Sequence, residues 1–548
     1  MTEADQVLAA DPSDGLASEN IFLPLLARAE RAPASPFAFF LKGGEERTIS
    51  QGWIIGAAGS VAKALDAHQV PRGSVVVIVL EHSPYLYAGF IGCVLSGRIP
   101  AILPPLTAKQ DPDIFRASME VLFARTQPAA ILTSERAQAA VPDAAAKVVD
   151  IAALPTVDAA PPAAPPRSAW NVPSGGVAFL QHSSGTTSHR KGVMLSHEKV
   201  AIQISLYADA IGIGPRDVIA SWLPLYHDMG LITSFLLPAI IGCPIVSIDA
   251  LEWVARPAML LDAIQSHRAA FTWLPNFAFH HLTRARASGA DWDLSSMKAV
   301  INCSEPCRAG TFALFAEKFG PLGLGMEKLG VSYGMAETVF AVTQTAPGRP
   351  VRTGTHPQTA PYLSCGPALP GIEIRILGPD GEDATPGGLG EICLRHPSMF
   401  DGYWRLPEVT AERLIDGWYH TRDLGCLEDG ELFVVGRVDD LIIVNGKNVM
   451  AHEIEDVVSL VEGVVPGRVI VCAEYDAALG GARMVVLVEP AEAVAEAAML
   501  AEVRRAVFGA CGVFPSAVRA VPRGFLVKST SGKLSRAASY EKYKALSK

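Results

Sequence analysis

Leu180-Gln181-His182-Ser183-Ser184-Gly185-Thr186-Thr187-Ser188-His189-Arg190-Lys191-Gly192-Val193-Met194-Leu195-Ser196-His197 is the stretch around which the chain is organised. It follows an apolar run, Val177-Ala178-Phe179-Leu180, that reads as a strand, and it closes on a second, Val193-Met194-Leu195. Hydroxyls, a glycine and two cations stand between them. A turn of this make-up suits an anionic phosphate. Backbone N–H groups converge where Gly185 permits close approach, hydroxyls add donors, and Arg190 and Lys191 add charge. Lys191 precedes Gly192, so the Gly-Lys-Ser/Thr order of a Walker loop is not met. The alternative reading is a polar hairpin on a surface.

Outward from that stretch, 548 residues exceed one hydrophobic core, and the length suggests about three or four structural units. A hydrophobic content of 49% with 19% charged residues fits a globular enzyme and excludes a disordered chain. The net charge of −10 disfavours nucleic acid or an anionic membrane as partner. Nine cysteines without framework spacing point to free thiols in a reducing compartment. Cys303 and Cys307 have no second Cys/His pair, which argues against a structural zinc site there. The start, Met1-Thr2-Glu3-Ala4-Asp5, lacks the basic and apolar regions of a signal peptide, and a cytoplasmic protein is expected. The uncharged run from Leu231 to Ile248 contains Pro238, Gly242 and Pro244. It reads as a buried helix, a turn and a buried strand, with no membrane span.

The rest of the chain alternates strand and helix. Ser74 to Leu80, Ile99 to Leu103 and Ala129 to Thr133 read as strands, with helices over about 84–95 and 112–126. Residues 153–175 form a Pro/Ala-rich connector. Strands are again expected at 217–222, 244–248, 269–273 and 299–303. From about 351 to 436, short apolar runs between glycines suggest a β subdomain. Beyond Arg437 the pattern is strand, helix, strand, strand, helix, then a basic tail.

Several stretches carry chemistry. Ser221-Trp222-Leu223-Pro224-Leu225-Tyr226-His227-Asp228-Met229-Gly230 places a polar loop with His227 after a strand. Asn302-Cys303-Ser304-Glu305-Pro306 also follows a strand, where ligands sit in parallel sheets. In Gly330-Val331-Ser332-Tyr333-Gly334-Met335-Ala336-Glu337-Thr338, Tyr333 offers a stacking face and Glu337 a hard oxygen ligand for Mg²⁺. The same stretch formally fits a G-x-S-x-G nucleophile elbow, with Asp423 and His452 downstream, so a serine hydrolase using Ser332 is the rival class. Asp423 is suited to a ribose diol, and Arg437 to pairing with it or with phosphate. Lys528-Ser529-Thr530-Ser531-Gly532-Lys533-Leu534 is a glycine-broken cationic loop.

Taken together and in order, these stretches resemble the adenylate-forming superfamily of acyl-CoA synthetases, fatty acyl-AMP ligases and peptide-synthetase adenylation domains, from about residue 30 to the end. The resemblance implies an α/β fold: a large N-terminal domain (1–436) of two doubly wound α/β subdomains plus a β subdomain, and a small mobile α+β domain (437–548) hinged at Asp439. It implies ATP, Mg²⁺ and CoA as ligands. Ser183, Ser184, Gly185, Thr186, Thr187 and Lys191 match its phosphate loop, with Thr186 and Glu337 toward the metal. Ser304, Glu305 and Pro306 match its adenine-side loop; Tyr333, with Gly334 and Met335, matches its adenine-stacking segment, and Thr338 its phosphate contact. Asp423 matches the ribose ligand and Arg437 the arginine near the hinge. Lys533 matches the adenylation lysine, and Gly446, with Lys447 beside it, the thiol tunnel.

Ser188 and Arg190 replace the glycine and proline common in that loop. Fatty acyl-AMP ligases also lack the glycine, and Leu223 to Ile232 resembles their version. Those ligases typically carry an insertion associated with loss of CoA use, for which the span from Thr343 to Ser364 looks too short. CoA is therefore the expected acceptor, with a carrier protein, or transfer from preformed acyl-AMP only, as alternatives. The implied reaction forms acyl-AMP and pyrophosphate with Lys533 and Mg²⁺ offsetting charge, then transfers the acyl group to a thiol after domain rotation. Apolar and aromatic residues near Trp222, His227, Met229 and Thr272 to Phe277 favour a hydrophobic acid.

Overall fold

The computed structural model describes residues 19–107, 112–134, 146–150, 154, 164–165, 167, 170, 176–182, 191–285, 292–305, 307–355, 362–444, 447–476, 481–492, 494–528 and 534–546. Of the expected site residues, Ser183, Ser184, Gly185, Thr186, Thr187, Pro306, Gly446 and Lys533 lie outside these, as do Ser188, Arg190 and most of the Pro/Ala-rich connector.

A helix at Leu23–Arg31 precedes the hairpin of β1 (Pro36–Lys42) and β2 (Glu45–Ser50). Ser50 caps the helix Gln51–Ala67, its side chain accepting from the Trp53 N–H. Then β3 (Val75–Val79), β4 (Ile99–Ile102), β5 (Ala130–Thr133) and β6 (Lys147–Asp150) form a parallel sheet in the order β4-β3-β5-β6, with helices Pro84–Leu95 and Pro112–Thr126 as crossovers. All five residues of β3 are buried and β-branched, the pattern of a strand covered on both faces.

β7 (Val177–His182) and β8 (Gly192–Ser196) pair antiparallel, His182 opposite Gly192. The helix His197–Ile211 leads to β9 (Ile219–Ser221), β10 (Ile245–Ile248), β11 (Phe271–Leu274), β12 (Ala299–Asn302), β13 (Leu329–Gly334) and β14 (Ala341–Gln344). With β1 and β2 these make an eight-stranded sheet of order β14-β13-β12-β11-β9-β10-β1-β2. Its inner strands are parallel, and β2 and β14 are antiparallel edges. The loops after β9, β12 and β13, which hold His227, Ser304 and Glu337, therefore all leave carboxyl ends of parallel strands.

The run from Leu231 to Ile248 is buried helix, turn and strand, with one addition: residues Ile232–Leu236 form a π-helical turn between Asp228–Leu231 and Leu237–Ile241. Among the described residues no helix is long and apolar enough to cross a membrane.

β15 (Glu373–Leu377), β16 (Gly390–Arg395), β17 (Leu414–Ile415), β18 (Trp418–Glu428) and β19 (Glu431–Arg437) form a smaller sheet, ordered β15-β16-β18-β17 with β19 also on β18. Beyond it come the hairpin β20 (Leu441–Val444) and β21 (Lys447–Met450), the helix Ala451–Ser459, and the sheet β22 (Val464–Asp476), β23 (Gly481–Pro490) and β24 (Ala517–Ala520). The sequence pattern missed two elements here. A hairpin stands where one strand was expected, and β24 pairs parallel to β23, with Ala517 opposite Val485. The basic tail is a helix, Arg536–Leu546.

The described residues divide into two compact units, one reaching to 421 and including 426–434, the other holding 422–425 and 435 onward. The first has a continuous core running from Phe22 through Phe179, Trp253 and Trp273 to Leu432. The second has its own, with Ile442, Ile454, Val471, Val486 and Val503.

Candidate active site

In the first unit the site is built on the turn that ends β13. A Cβ on Gly334 would lie 1.9 Å from Phe340 O, so only glycine fits this close backbone approach. Met335 N–H donates to Phe340 O at 2.9 Å, and a tight turn at Ala336–Thr338 follows. Val339 then adopts φ +64, a conformation a β-branched residue rarely takes. Thr338 is buried and its hydroxyl donates to backbone, 2.8 Å from Phe340 O and 3.0 Å from Met335 O, so it closes the turn. Tyr333 is 9% exposed.

This turn aims Glu337 into a polar cluster that no single sequence motif contains. The Tyr403 hydroxyl donates to Glu337 Oε1 at 2.7 Å and lies 3.2 Å from the Tyr419 hydroxyl. Burial, then Glu337, pushes both phenols up, so both remain protonated donors at neutral pH. Lys191 Nζ stands 4.7 Å from the Tyr403 ring centroid. Burial and then Arg413 hold the Lys191 ammonium below its usual value, opposed by Glu337 and Glu412. A half-buried cation beside an anchored carboxylate can receive phosphate oxygens and a hard divalent cation together.

The β12 loop carries Ser304, whose φ of +83 is in the left-handed region, with Oγ 3.9 Å from Met229 Sδ. Glu305 follows it. Asn302, at the end of β12, donates to Asn276 Oδ1 at 3.0 Å and to Cys307 Sγ at 3.1 Å. The loop after β9 is tied to β7 by Gln181, whose amide donates to Tyr226 O at 3.1 Å. His227 opens the helical turn Asp228–Leu231. A Cβ on Gly230 would lie 2.2 Å from Pro224 O, which fixes glycine there as well. Among the expected apolar walls, Trp222, Met229 and Thr272 are buried and Phe277 is 40% exposed. Trp222 stacks on Trp253, ring centroids 3.7 Å apart and 2° from coplanar, a partner the sequence reading did not name. Trp273 turns away from this wall, its indole N–H donating to the Tyr207 hydroxyl at 2.7 Å.

In the second unit Arg437 Nε is 3.0 Å from Asp423 Oδ1, and Arg422 pairs with Asp439 at 2.6 Å. Asp439 sits in the short helical turn Val438–Asp440. Its neighbour Asp440 pairs with Arg536, which also grips Glu455 at 2.6 Å. Lys447 begins β21.

Ser332 is not a nucleophile elbow. The elbow requires a sharp strand-to-helix turn with an exposed hydroxyl. Ser332 lies inside β13, buried, and its hydroxyl donates to Thr343 O at 3.0 Å. The hydrolase reading is overturned. Cys303 and Cys307 are both buried, and neither is in a disulfide.

The profile of the AMP-binding enzyme family matches residues 26–404. The long-chain-fatty-acid–AMP ligase FadD26 of Mycobacterium marinum is 30% identical over 556 residues, covering 92% of this chain and 92% of its own. The medium-chain-fatty-acid–acyl-carrier-protein ligase JamA of Moorena producens is 28% identical, covering 92% and 91%. A structure solved in a study of fatty acyl-adenylate ligases from E. coli and L. pneumophila matches at TM-score 0.84 and 25% identity, covering 97% of this chain and 100% of its own. The chain belongs to the AMP-binding enzyme family, and its chemistry is that of an AMP-forming acid–thiol ligase.

Proposed function

We propose that this enzyme activates a hydrophobic, fatty-type carboxylic acid with ATP and passes the acyl group from its adenylate to the thiol of CoA. The observation that carries the reading is the Glu337 carboxylate, buried at the end of β13 and held by a tyrosine hydroxyl beside Lys191. Anchored carboxylate oxygen is the donor type Mg²⁺ selects, so the residues fit that ion. When bound, Mg²⁺ offsets charge on the triphosphate.

In this reading Lys191 and the Ser183–Thr187 stretch hold phosphate, with Thr186 and Glu337 toward the metal. Tyr333 stacks on adenine, flanked by Gly334, Met335, Ser304, Glu305 and Pro306. Asp423 accepts from the ribose diol, and Arg437, already paired with it, orients that carboxylate. Thr338, which the resemblance implies as a phosphate contact, turns its hydroxyl to backbone carbonyls and supports the turn that carries Glu337. The acid carboxylate approaches past His227 and attacks the α-phosphorus. Lys533 offsets the charge that grows as pyrophosphate leaves. The unit carrying Lys533 then pivots at Asp439, and a thiol arriving along Gly446 and Lys447 takes the acyl group as AMP leaves. Trp222, Met229 and Thr272, all buried, support a hydrophobic acyl group.

A second acceptor is favoured by one relative: JamA is a carrier-protein ligase. The short Thr343–Ser364 span supports CoA. A panel of carboxylic acids with ATP and Mg²⁺, read by pyrophosphate release and then by thioester on CoA or on a phosphopantetheinylated carrier protein, tests both. Pyrophosphate release with CoA thioester is expected. Release with thioester only on the carrier would replace the acceptor, and no release with any acid would overturn the reading.

A further inference from the structure

The outer face of the small sheet carries donors that acid activation does not use. Side chains alternate between the faces of a strand. On β16, Ile392 and Leu394 are buried on one face, and Glu391 and Cys393 share the other. On β18, Tyr419 is buried beside Tyr403, and His420, one residue on, takes the opposite face. His420 Nδ1 lies 3.6 Å from Cys393 Sγ and 3.4 Å from Glu391 Oε2. The three donor atoms all lie within 4.8 Å of one another.

Without an ion these contacts are a thiol–imidazole hydrogen bond and a loose imidazole–carboxylate pair. Their lengths also match two edges of a metal tetrahedron, and the third pair, Cys393 Sγ and the Glu391 carboxylate, lies within 4.8 Å. With Zn–S about 2.3 Å and Zn–N and Zn–O about 2.0 Å, tetrahedral angles put S···N at about 3.5 Å and N···O at about 3.3 Å. Thiolate, imidazole and carboxylate are also the donor set of Zn²⁺ rather than of Mg²⁺ or Ca²⁺. The nearby cations do not oppose it, because Arg375 pairs with Asp383 and Arg395 with Glu373.

We propose that Glu391, Cys393 and His420 bind one Zn²⁺ ion on the outer face of β16 and β18, with water as the fourth ligand. Without an ion, burial and then Glu391 push the Cys393 thiol up to about 12. A coordinated divalent cation reverses that balance: the S–Zn bond forms as the thiol proton leaves to solvent. The ion would pin β16 to β18, the strand whose other face supplies Tyr419 to the cluster around Glu337.

The test uses the full chain without nucleotide, titrated with Zn²⁺ in competition with a chromophoric chelator and, separately, with Co²⁺. One equivalent of tight Zn²⁺ and a thiolate-to-cobalt charge-transfer band are expected. Cys393→Ser should abolish the band, and His420→Asn should weaken Zn²⁺ at least about tenfold. Cys393 is buried, so its variant risks misfolding. His420→Asn and Glu391→Gln alter partly exposed side chains, and Zn²⁺ should raise the melting temperature of the wild type but not of either. Sub-stoichiometric binding by the wild type, a band that survives in a folded Cys393→Ser, or equal thermal shifts in all proteins would overturn the proposal.

Discussion

At the scale of single residues, the site depends on how one carboxylate is held. Glu337 keeps its geometry because the strained Val339 turn aims it and Tyr403 donates to it. Tyr403 positions the carboxylate that is proposed to meet Mg²⁺. Tyr403→Phe should therefore raise the Mg²⁺ concentration needed for half-maximal pyrophosphate release and lower kcat by about tenfold or more. Glu337→Gln should lower it by about a hundredfold or more at any Mg²⁺ level. Unchanged Mg²⁺ dependence in Tyr403→Phe would mean that the hydrogen bond only stabilises the fold. Ser332→Ala makes the opposite case. It removes one donor from Thr343 O, so it should cost about 1 kcal/mol in urea denaturation and leave turnover intact. Glu337 was legible because it stands in one compact stretch with Tyr333. Tyr403 and Tyr419 were not, because they reach it across strand pairings that local periodicity does not specify. Trp253 escaped for the same reason: its partner Trp222 is brought to it by the fold alone.

At the scale of elements, alternating apolar runs and crossover helices were enough to place every parallel strand from β3 to β5 and from β9 to β12 within a few residues. The π-helical turn was not legible. It contains Thr233, whose hydroxyl donates to Met229 O at 2.6 Å, and precedes Pro238, which lacks an N–H for the ladder. The docking of the helix His197–Ile211 was also hidden, and it carries a pH dependence. His197 is buried, and its Nδ1 accepts from the Ile21 N–H at 3.4 Å, which requires a neutral ring. Burial lowers its pKa to about 4 from an ordinary value of 6.5. Between those values the unfolded chain binds the proton and the folded chain does not, so stability falls as pH drops. From pH 7 to pH 5 this group should cost about 2 kcal/mol. Guanidinium denaturation at both pH values should show that much less loss in His197→Gln than in the wild type. An equal loss in both proteins would remove His197 as the cause.

At the scale of the whole molecule, the chain forms two units with separate cores, and the residues proposed for catalysis are divided between them. Glu337, Tyr333 and Lys191 belong to the first; Asp423, Arg437 and Asp439 belong to the second, together with the chain that leads to Lys533. In the sequence, the change of pattern after Arg437 and the family resemblance lead to an expected boundary near 437. The pattern did not show that residues 422–425 of β18 group with the second unit, because strand pairing, not composition, decides that. Such a division has a kinetic consequence if Lys533 serves only the first half-reaction. Charge stabilisation of the leaving pyrophosphate is worth about 3–4 kcal/mol, so Lys533→Ala should lose acyl-AMP formation by about two to three orders of magnitude. Transfer of the acyl group from supplied acyl-AMP to CoA does not build that charge and should proceed at near wild-type rate. Single-turnover assays of each half-reaction separate the two. A parallel loss in both would mean that Lys533 stays at the site throughout, and that the pivot at Asp439 is not how this enzyme runs two reactions in one place.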